Sequence, residues 1–399
     1  AERIKKLVDT ARGLEGMPRN TSTHAAGVVI TANPVSDYVP LARNDETIVT
    51  QFTMTTIEEL GLLKMDFLGL RNLTILDDAA RAIRRREPDF DLKRLPDGDA
   101  ATFAMLGEGK TAGVFQLESA GITGVWVNMK PQSIEDLTAI VALYRPGPMD
   151  SIPRFIENKF HPERVTYLCP QLEPILSVTY GCIVYQEQVM QIFRELAGFS
   201  FGQADNVRRA MSKKKHAVME AEREHFVHGC TEPGHECPGC VANGIPEQVA
   251  NQIYDEMSSF ASYAFNKSHA ACYAYVAFQT AYLKCHYPSQ FMAALLTSVL
   301  DNTDKVIEYS GECARLGIKV LPPDVNISNG GFTAGDKGQN RCGLNAVKNV
   351  GRNLIENAVT ERREKPYTSL YDFCKRMHGS ELNRRAVESL IKAGAFDCF

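Results

Sequence analysis

In GLLKMDFLGL, residues 61–70, one carboxylate, Asp66, stands in a run that otherwise reads as buried strand. Side chains alternate along a strand, so Leu63, Met65 and Phe67 share one face while Lys64, Asp66 and Leu68 share the other. An unpaired buried carboxylate costs roughly several kcal/mol, so this one needs a metal, a cation or good hydrogen-bond donors. A salt bridge to a neighbouring Arg or Lys meets that need as well as a metal does.

Cations that suit phosphate gather elsewhere. In GFSFGQADNVRRAMSKKKH, Ser200 and Gln203 have capping-box spacing, so a helix begins there and carries Arg208 and Arg209 near its end. With Lys213, Lys214 and Lys215 they put five cations into eight residues. Guanidinium forks bind phosphate oxygens in pairs, which suits a triphosphate or a nucleic-acid backbone, although the same run also reads as a solvated charged face. ASYAFNKSHAAC offers Ser268 as an N-cap, with a helix from about His269. A helix start flanked by Lys267 and His269 is an anion site, and Tyr263 just ahead of it is placed to stack on a base or sugar; a capped core helix is the plainer reading. LYRPGPM fixes Arg145 beside a rigid Pro-Gly-Pro turn, where it either positions phosphate or braces two helices. GVFQLES leaves the same choice for Gln116 and Ser119.

HGCTEPGHECPGC holds Cys230, Cys237 and Cys240 with His228 and His235, ligands enough for a tetrahedral zinc knuckle, with a reduced surface loop as the other reading. GLNAVKNVGRNLIENAV has the form of a helix-hairpin-helix. Val347 and Val350 hold its hairpin, Asn349 takes the place of the usual glycine, and the helix opening at Gly351 and Arg352 offers its N-terminal amides to a DNA phosphate. ELNRRAVESLIKAGAF reads as a second, degenerate copy. The acids of PDFDL, Asp89 and Asp91, belong to a polar connector and read as solvated.

The elements that must position these groups change character along the chain. Residues 22–70 alternate in the strand manner (GVVIT, IVTQF, LLKMDFL), with turns at Asn33-Pro34 and Asn44-Asp45. From Leu73 the pattern is helical to about Leu321, and LPPDVNISNGGFTAGDKGQNRC then reads as a linker with a hairpin before a last helical unit. The fold class is therefore α+β, mostly α. The 399 residues, 44% hydrophobic and 23% charged, have room for two or three domains. No apolar run reaches the roughly 18 residues of a membrane span. Eleven cysteines in mainly apolar helical contexts suggest reduced thiols. The net charge of −4 is unevenly spread, and basic patches set the field that a phosphate backbone meets. The opening AERIKKLVDTARGLEG reads as the middle of a helix from a longer protein.

Taken in order, HAAGVVIT, VTQF, KMDFLGLRNLTIL, GVFQLES, LYRPGPM, YQEQVM, RRAMSKKK, FNKSHAACYA and YPSQFMAALLTSVLDN closely resemble the bacterial DNA polymerase III alpha subunit family, the C-family replicative polymerases. The resemblance implies the end of a thumb at 1–21 and the second part of a polymerase-beta-like nucleotidyltransferase palm at 22–71. Fingers at 72–321, a linker at 322–342 and a truncated helix-hairpin-helix region at 343–399 would follow. It makes Asp66 the third of three aspartates that bind two magnesium ions, with the other two absent from this chain and the isolated fragment therefore inactive. Lys64, Arg145, Arg208, Arg209, Tyr263, Lys267 and His269 become nucleotide-binding, and Lys213, Lys214, Lys215, Asn349, Gly351 and Arg352 DNA-binding. Implied partners are primer-template DNA and deoxynucleoside triphosphates, and in the parent a sliding clamp, a proofreading exonuclease and a clamp loader, in the bacterial cytoplasm at the nucleoid. The cysteine cluster departs from the family's common pattern.

Overall fold

A computed structural model describes residues 2–17, 22–212, 216–261, 265–335, 338–379 and 381–399. Lys213, Lys214, Lys215 and Tyr263, all expected to meet DNA or nucleotide, lie outside the described residues. The chain divides into two compact units, one ending at Leu70 and the other running from Arg71 to Phe399.

The first unit contains helix α1 (Glu2–Leu14), strands β1 (Gly27–Ile30), β2 (Leu41–Asn44) and β3 (Thr47–Thr50), helix α2 (Met54–Glu59) and strand β4 (Leu63–Asp66). β2 and β3 form a hairpin whose turn holds Asp45 in the left-handed region at φ +50°, where an aspartate is tolerated. β1 pairs antiparallel with β4, placing Gly27 opposite Asp66 and Val29 opposite Lys64. The expected burial of β4 does not hold. Leu63 is 54% exposed, Met65 41% and Phe67 62%, and only Val39 and Ile57 are buried in this unit among the described residues. Alternation identifies a strand but carries no information about its cover, and in this two-stranded sheet, which α2 touches at β4, the apolar side chains of β4 stay largely exposed.

The second unit is helical, and its apolar clusters include the following three among the described residues. In the first, helices Gln186–Ala197, Phe201–Ser212 and Glu247–Ala261 enclose Phe193, Phe226 and Tyr254, whose rings meet edge-on or tilted. The second joins α3 (Arg71–Arg84) to helices Pro288–Ser298 and Thr303–Arg315. The third, under the tail, gathers Leu354, Phe373 and Leu390. Through the middle runs the 20-residue helix Lys267–His286. Its Ala270, Ala274, Ala277 and Ala281 repeat at helical spacing and are wholly buried, so helix Ile134–Leu143 packs closely against it. Near its end the fully buried Lys284 pairs with Glu312 at 2.6 Å and donates to the carbonyls of Lys110 and Ala112 at 3.0 and 2.8 Å. Those bonds satisfy a charge that burial would otherwise penalise.

The stretch read as a linker contains the expected hairpin and is packed. β5 (Lys319–Leu321), β6 (Thr333–Ala334) and β7 (Gln339–Arg341) form a sheet in the order β5-β7-β6, with β5 and β7 parallel and β6 and β7 antiparallel. The Arg362 guanidinium donates to the carbonyls of Val325, Ile327 and Ser328, fastening this segment to the tail.

Candidate functional site

Asp66 ends β4 with Lys64 on the same face, as a two-residue spacing requires. The Lys64 Nζ donates to both carboxylate oxygens at 2.7 and 2.8 Å, and this hydrogen bond holds the Asp66 carboxyl below its ordinary range. His24 closes the other side, its Nδ1 3.9 Å from Asp66 Oδ1. That nitrogen accepts the backbone N–H groups of Ala26 and Gly27 at 3.1 and 2.6 Å. Gly27 is required here: a Cβ would stand 3.0 Å from Asp66 Oδ1 and 2.8 Å from His24 Nδ1. Of the partners the sequence leaves open for Asp66, this structure supplies the cation. Among the described residues no group of three or more His, Cys, Asp or Glu side chains is placed to hold a metal ion. Among the described residues the expected magnesium ligand thus has no set of companions to complete a metal site. Asp89 is exposed and Asp91 caps a short turn by accepting the Lys93 N–H at 3.0 Å.

In the second unit, four stretches far apart in sequence converge. The capping box at Ser200 and Gln203 is formed, with bonds of 2.7 and 3.3 Å, and it starts the helix carrying the arginine pair. Asp205, three and four residues before them, receives Arg208 Nε at 2.9 Å and Arg209 Nε at 2.7 Å. The Arg208 hydrogen bond leads in keeping the Asp205 carboxyl below its usual range. Arg208 also donates through Nη1 to Gln186 Oε1 at 3.1 Å, and its side chain is 22% exposed against 66% for Arg209.

Gln186 opens the helix Gln186–Ala197, and its N–H donates to Phe265 O at 2.9 Å across a parallel bridge between Tyr185 and Phe265. Its neighbour Glu187 accepts Asn266 Nδ2 at 2.9 Å and the Lys267 N–H at 2.9 and 3.1 Å. The N-cap of the long helix is therefore Asn266, whose side chain takes the His269 N–H at 2.8 Å, and the helix starts at Lys267; the Ser268 cap and His269 start read from sequence are each two residues late. The anion site expected at that terminus is already taken by the Glu187 carboxylate. The His269 ring lies 4.3 Å from Tyr273 and 5.2 Å from Phe265, and the Lys267 Nζ 5.4 Å from the Tyr185 ring. Arg145, beside Gly147 at φ +104°, lays its guanidinium 3.4 Å from the Phe265 ring centre, and burial lowers its pKa. Of its two readings, the bracing contact is the one on display. In GVFQLES, Gln116 is exposed in the left-handed region at φ +58°, while Phe115 N–H donates to Thr280 Oγ1 at 3.1 Å.

The tail holds two hairpins of one design. Asn349 at φ +64° is followed by Val350, the N-cap Gly351 and the helix Arg352–Glu361. Glu381 at φ +58° is followed by Leu382, the N-cap Asn383 and the helix Arg384–Lys392. Val350 and Leu382 both pack on the third core. The copies touch: Asn353 Nδ2 donates to Glu381 Oε1 at 3.2 Å, and Asn349 Nδ2 to Ser389 Oγ at 3.4 Å. Arg352 points to Asp301 at 3.1 Å, both side chains largely in solvent.

These landmarks match known families in chain order. A model of the bacterial DNA polymerase III alpha NTPase domain matches residues 1–69, one of the bacterial DNA polymerase III alpha subunit finger domain matches 72–234, and one of a helix-hairpin-helix motif matches 317–399. The chain belongs to the bacterial DNA polymerase III alpha family. It is similar to the DNA polymerase III subunit alpha of Thermus aquaticus, at 49% identity over 100% of this chain and 32% of that protein. The subunit of Bacillus subtilis is 46% identical over 99% of this chain and 35% of its own length, and that of Chlamydia trachomatis 44% over 99% and 31%. The chain spans about a third of the length of these relatives.

The cysteine loop of this chain straddles residue 234, where the finger match ends. It does not assemble a zinc knuckle. Cys230 and Cys237 exchange backbone hydrogen bonds of 2.9 Å, while Cys240 is fully buried in the first apolar cluster and its thiol is pushed up to about 12 by burial. His235 is exposed, and among the described residues no three of these side chains are grouped to hold a metal ion. Gln186, Glu187, Asp205 and His24 were not legible as site residues. The spacing of Asp205 to both arginines was the one local signal available.

Proposed function

We propose that this chain is the part of a replicative DNA polymerase that carries one palm carboxylate, the fingers and a DNA-gripping tail, and that the parent adds deoxynucleotides to a primer 3′ end with loss of pyrophosphate. The observation that supports it most is the convergence of Arg208, Arg209 and the Lys267 helix start, which makes a basic, partly solvent-open rim in the fingers. In this reading the thumb ends at 21, the palm occupies 22–71, the fingers 72–321, a packed linker 322–342 and the hairpin region 343–399. Arg208 and Arg209 neutralise triphosphate oxygens as charge develops on the leaving group, with Lys267, His269 and Arg145 lining the pocket and Tyr263 beside it. Lys64 shifts from Asp66 to a phosphate. Divalent ions, which this family generally uses and which we take to be Mg2+, would activate the primer hydroxyl and steady the pyrophosphate; Asp66 would be one ligand, with companions from outside the described residues. Asn349, Gly351, Arg352 and the second hairpin hold the duplex backbone, with Lys213, Lys214 and Lys215 adding to the grip. The setting is the bacterial cytoplasm at the nucleoid, where a sliding clamp, a proofreading exonuclease and a clamp loader would meet the parent through other segments. The test is steady-state primer extension by the full-length protein. Arg208→Ala and Arg209→Ala each raise KM for deoxynucleotide by about tenfold, as loss of a charge-assisted bond does; an unchanged KM in both sinks the assignment.

The paired hairpins favour a second capacity, in which the chain by itself binds duplex DNA without turnover. Such binding weakens steeply with salt, and absence of binding at low salt excludes it.

A further inference from the structure

We propose that Glu187 is a positioning residue that fixes where the triphosphate can lie, an inference that rests on reading Arg208 and Arg209 as its ligands. The first turn of helix Gln186–Ala197 works as a rigid platform because Gln188 is buried and fully engaged. Its Oε1 accepts the N–H groups of Val184 and Tyr185 at 2.8 and 3.0 Å, and its Nε2 donates to Ile175 O at 3.2 Å and Thr179 Oγ1 at 2.7 Å. From that platform two adjacent side chains reach two different elements that carry the proposed phosphate-binding side chains. Gln186 holds Arg208, and Glu187 holds the backbone and cap of the Lys267 helix. The spacing between guanidinium and helix start is thereby set by two neighbouring residues rather than by loops.

Glu187 also has an electrostatic role. The N-terminus of a long helix attracts phosphate through its free N–H groups and dipole. Here a carboxylate already accepts the first of those groups, so a triphosphate cannot settle on the Lys267 backbone and is left to the arginines, the Lys267 ammonium and the His269 ring. Removing the carboxylate both loosens the spacing and opens a competing anion site.

The experiment uses the full-length polymerase with Glu187→Ala and the near-isosteric Glu187→Gln, which keeps one oxygen acceptor while losing the charge. Expected is a rise of about tenfold in KM for deoxynucleotide in the alanine variant and a smaller rise in the glutamine variant. The dissociation constant for primer-template stays unchanged in both, and inorganic pyrophosphate inhibits the alanine variant more strongly. A Glu187 that only caps a helix would lower the melting temperature and leave KM and pyrophosphate inhibition where they are, and that result overturns the proposal. An active parent with unresponsive KM refutes the role of Glu187 alone, whereas a parent that incorporates no nucleotide refutes the polymerase reading beneath it.

Discussion

Lys64 and Asp66 show how much a single residue's neighbourhood decides. Their shared face was legible from the two-residue spacing, and so was the need of the carboxylate for a partner. Because the Lys64 hydrogen bond depresses the Asp66 pKa below its ordinary 3.8, the pair's stabilising contribution is complete above that unfolded value and is lost as pH falls through the lower folded one. A carboxyl-carbon titration by NMR should place the Asp66 midpoint under the ordinary range, and Lys64→Met should return it upward. A midpoint indifferent to Lys64→Met would show that the contact does not persist in solution. Glu187 is the opposite case. Nothing in its own surroundings in the chain marks it, because its partners lie some 80 residues away.

Among elements, helices with strong local signals were readable and their ends less so. The capping box at Ser200 is local chemistry and formed as spaced, whereas at FNKSH two polar residues compete for the cap and Asn266 wins because Glu187 orders the same turn. Period-2 alternation found β4 but carried no information about what would cover it. The cysteine loop misleads for a related reason: ligand spacing is a property of sequence, while the direction each thiol faces is decided by packing. Gly229 and Gly239 bring its two arms so close that a Cβ on either would strike backbone, and Cys240 turns inward as a small apolar residue. Treatment with a chelator should accordingly leave the melting temperature unchanged, while Cys240→Ala costs about 1–3 kcal/mol in denaturant unfolding through the lost packing. A chelator-sensitive transition would restore the zinc knuckle.

At the level of the whole molecule, the sequence boundary between strand-like and helical patterning falls close to the division at Leu70 and Arg71. Among the described residues the helical unit has at least three apolar cores, and the shorter one has two buried apolar residues. Residues 71–399 produced alone should unfold in cooperative transitions, and residues 1–70 alone should show none by circular dichroism; a sharp transition in the shorter piece would contradict this.

The uncovered pair of β1 and β4 has a further consequence. Among the described residues each strand has one strand partner only, and the pair sets Val28, Ile30, Leu63 and Met65 in water. Such a ribbon is adhesive, and without company it recruits copies of itself strand to strand. The segment bearing Asp66 is thus also the segment most prone to precipitate when overproduced by itself.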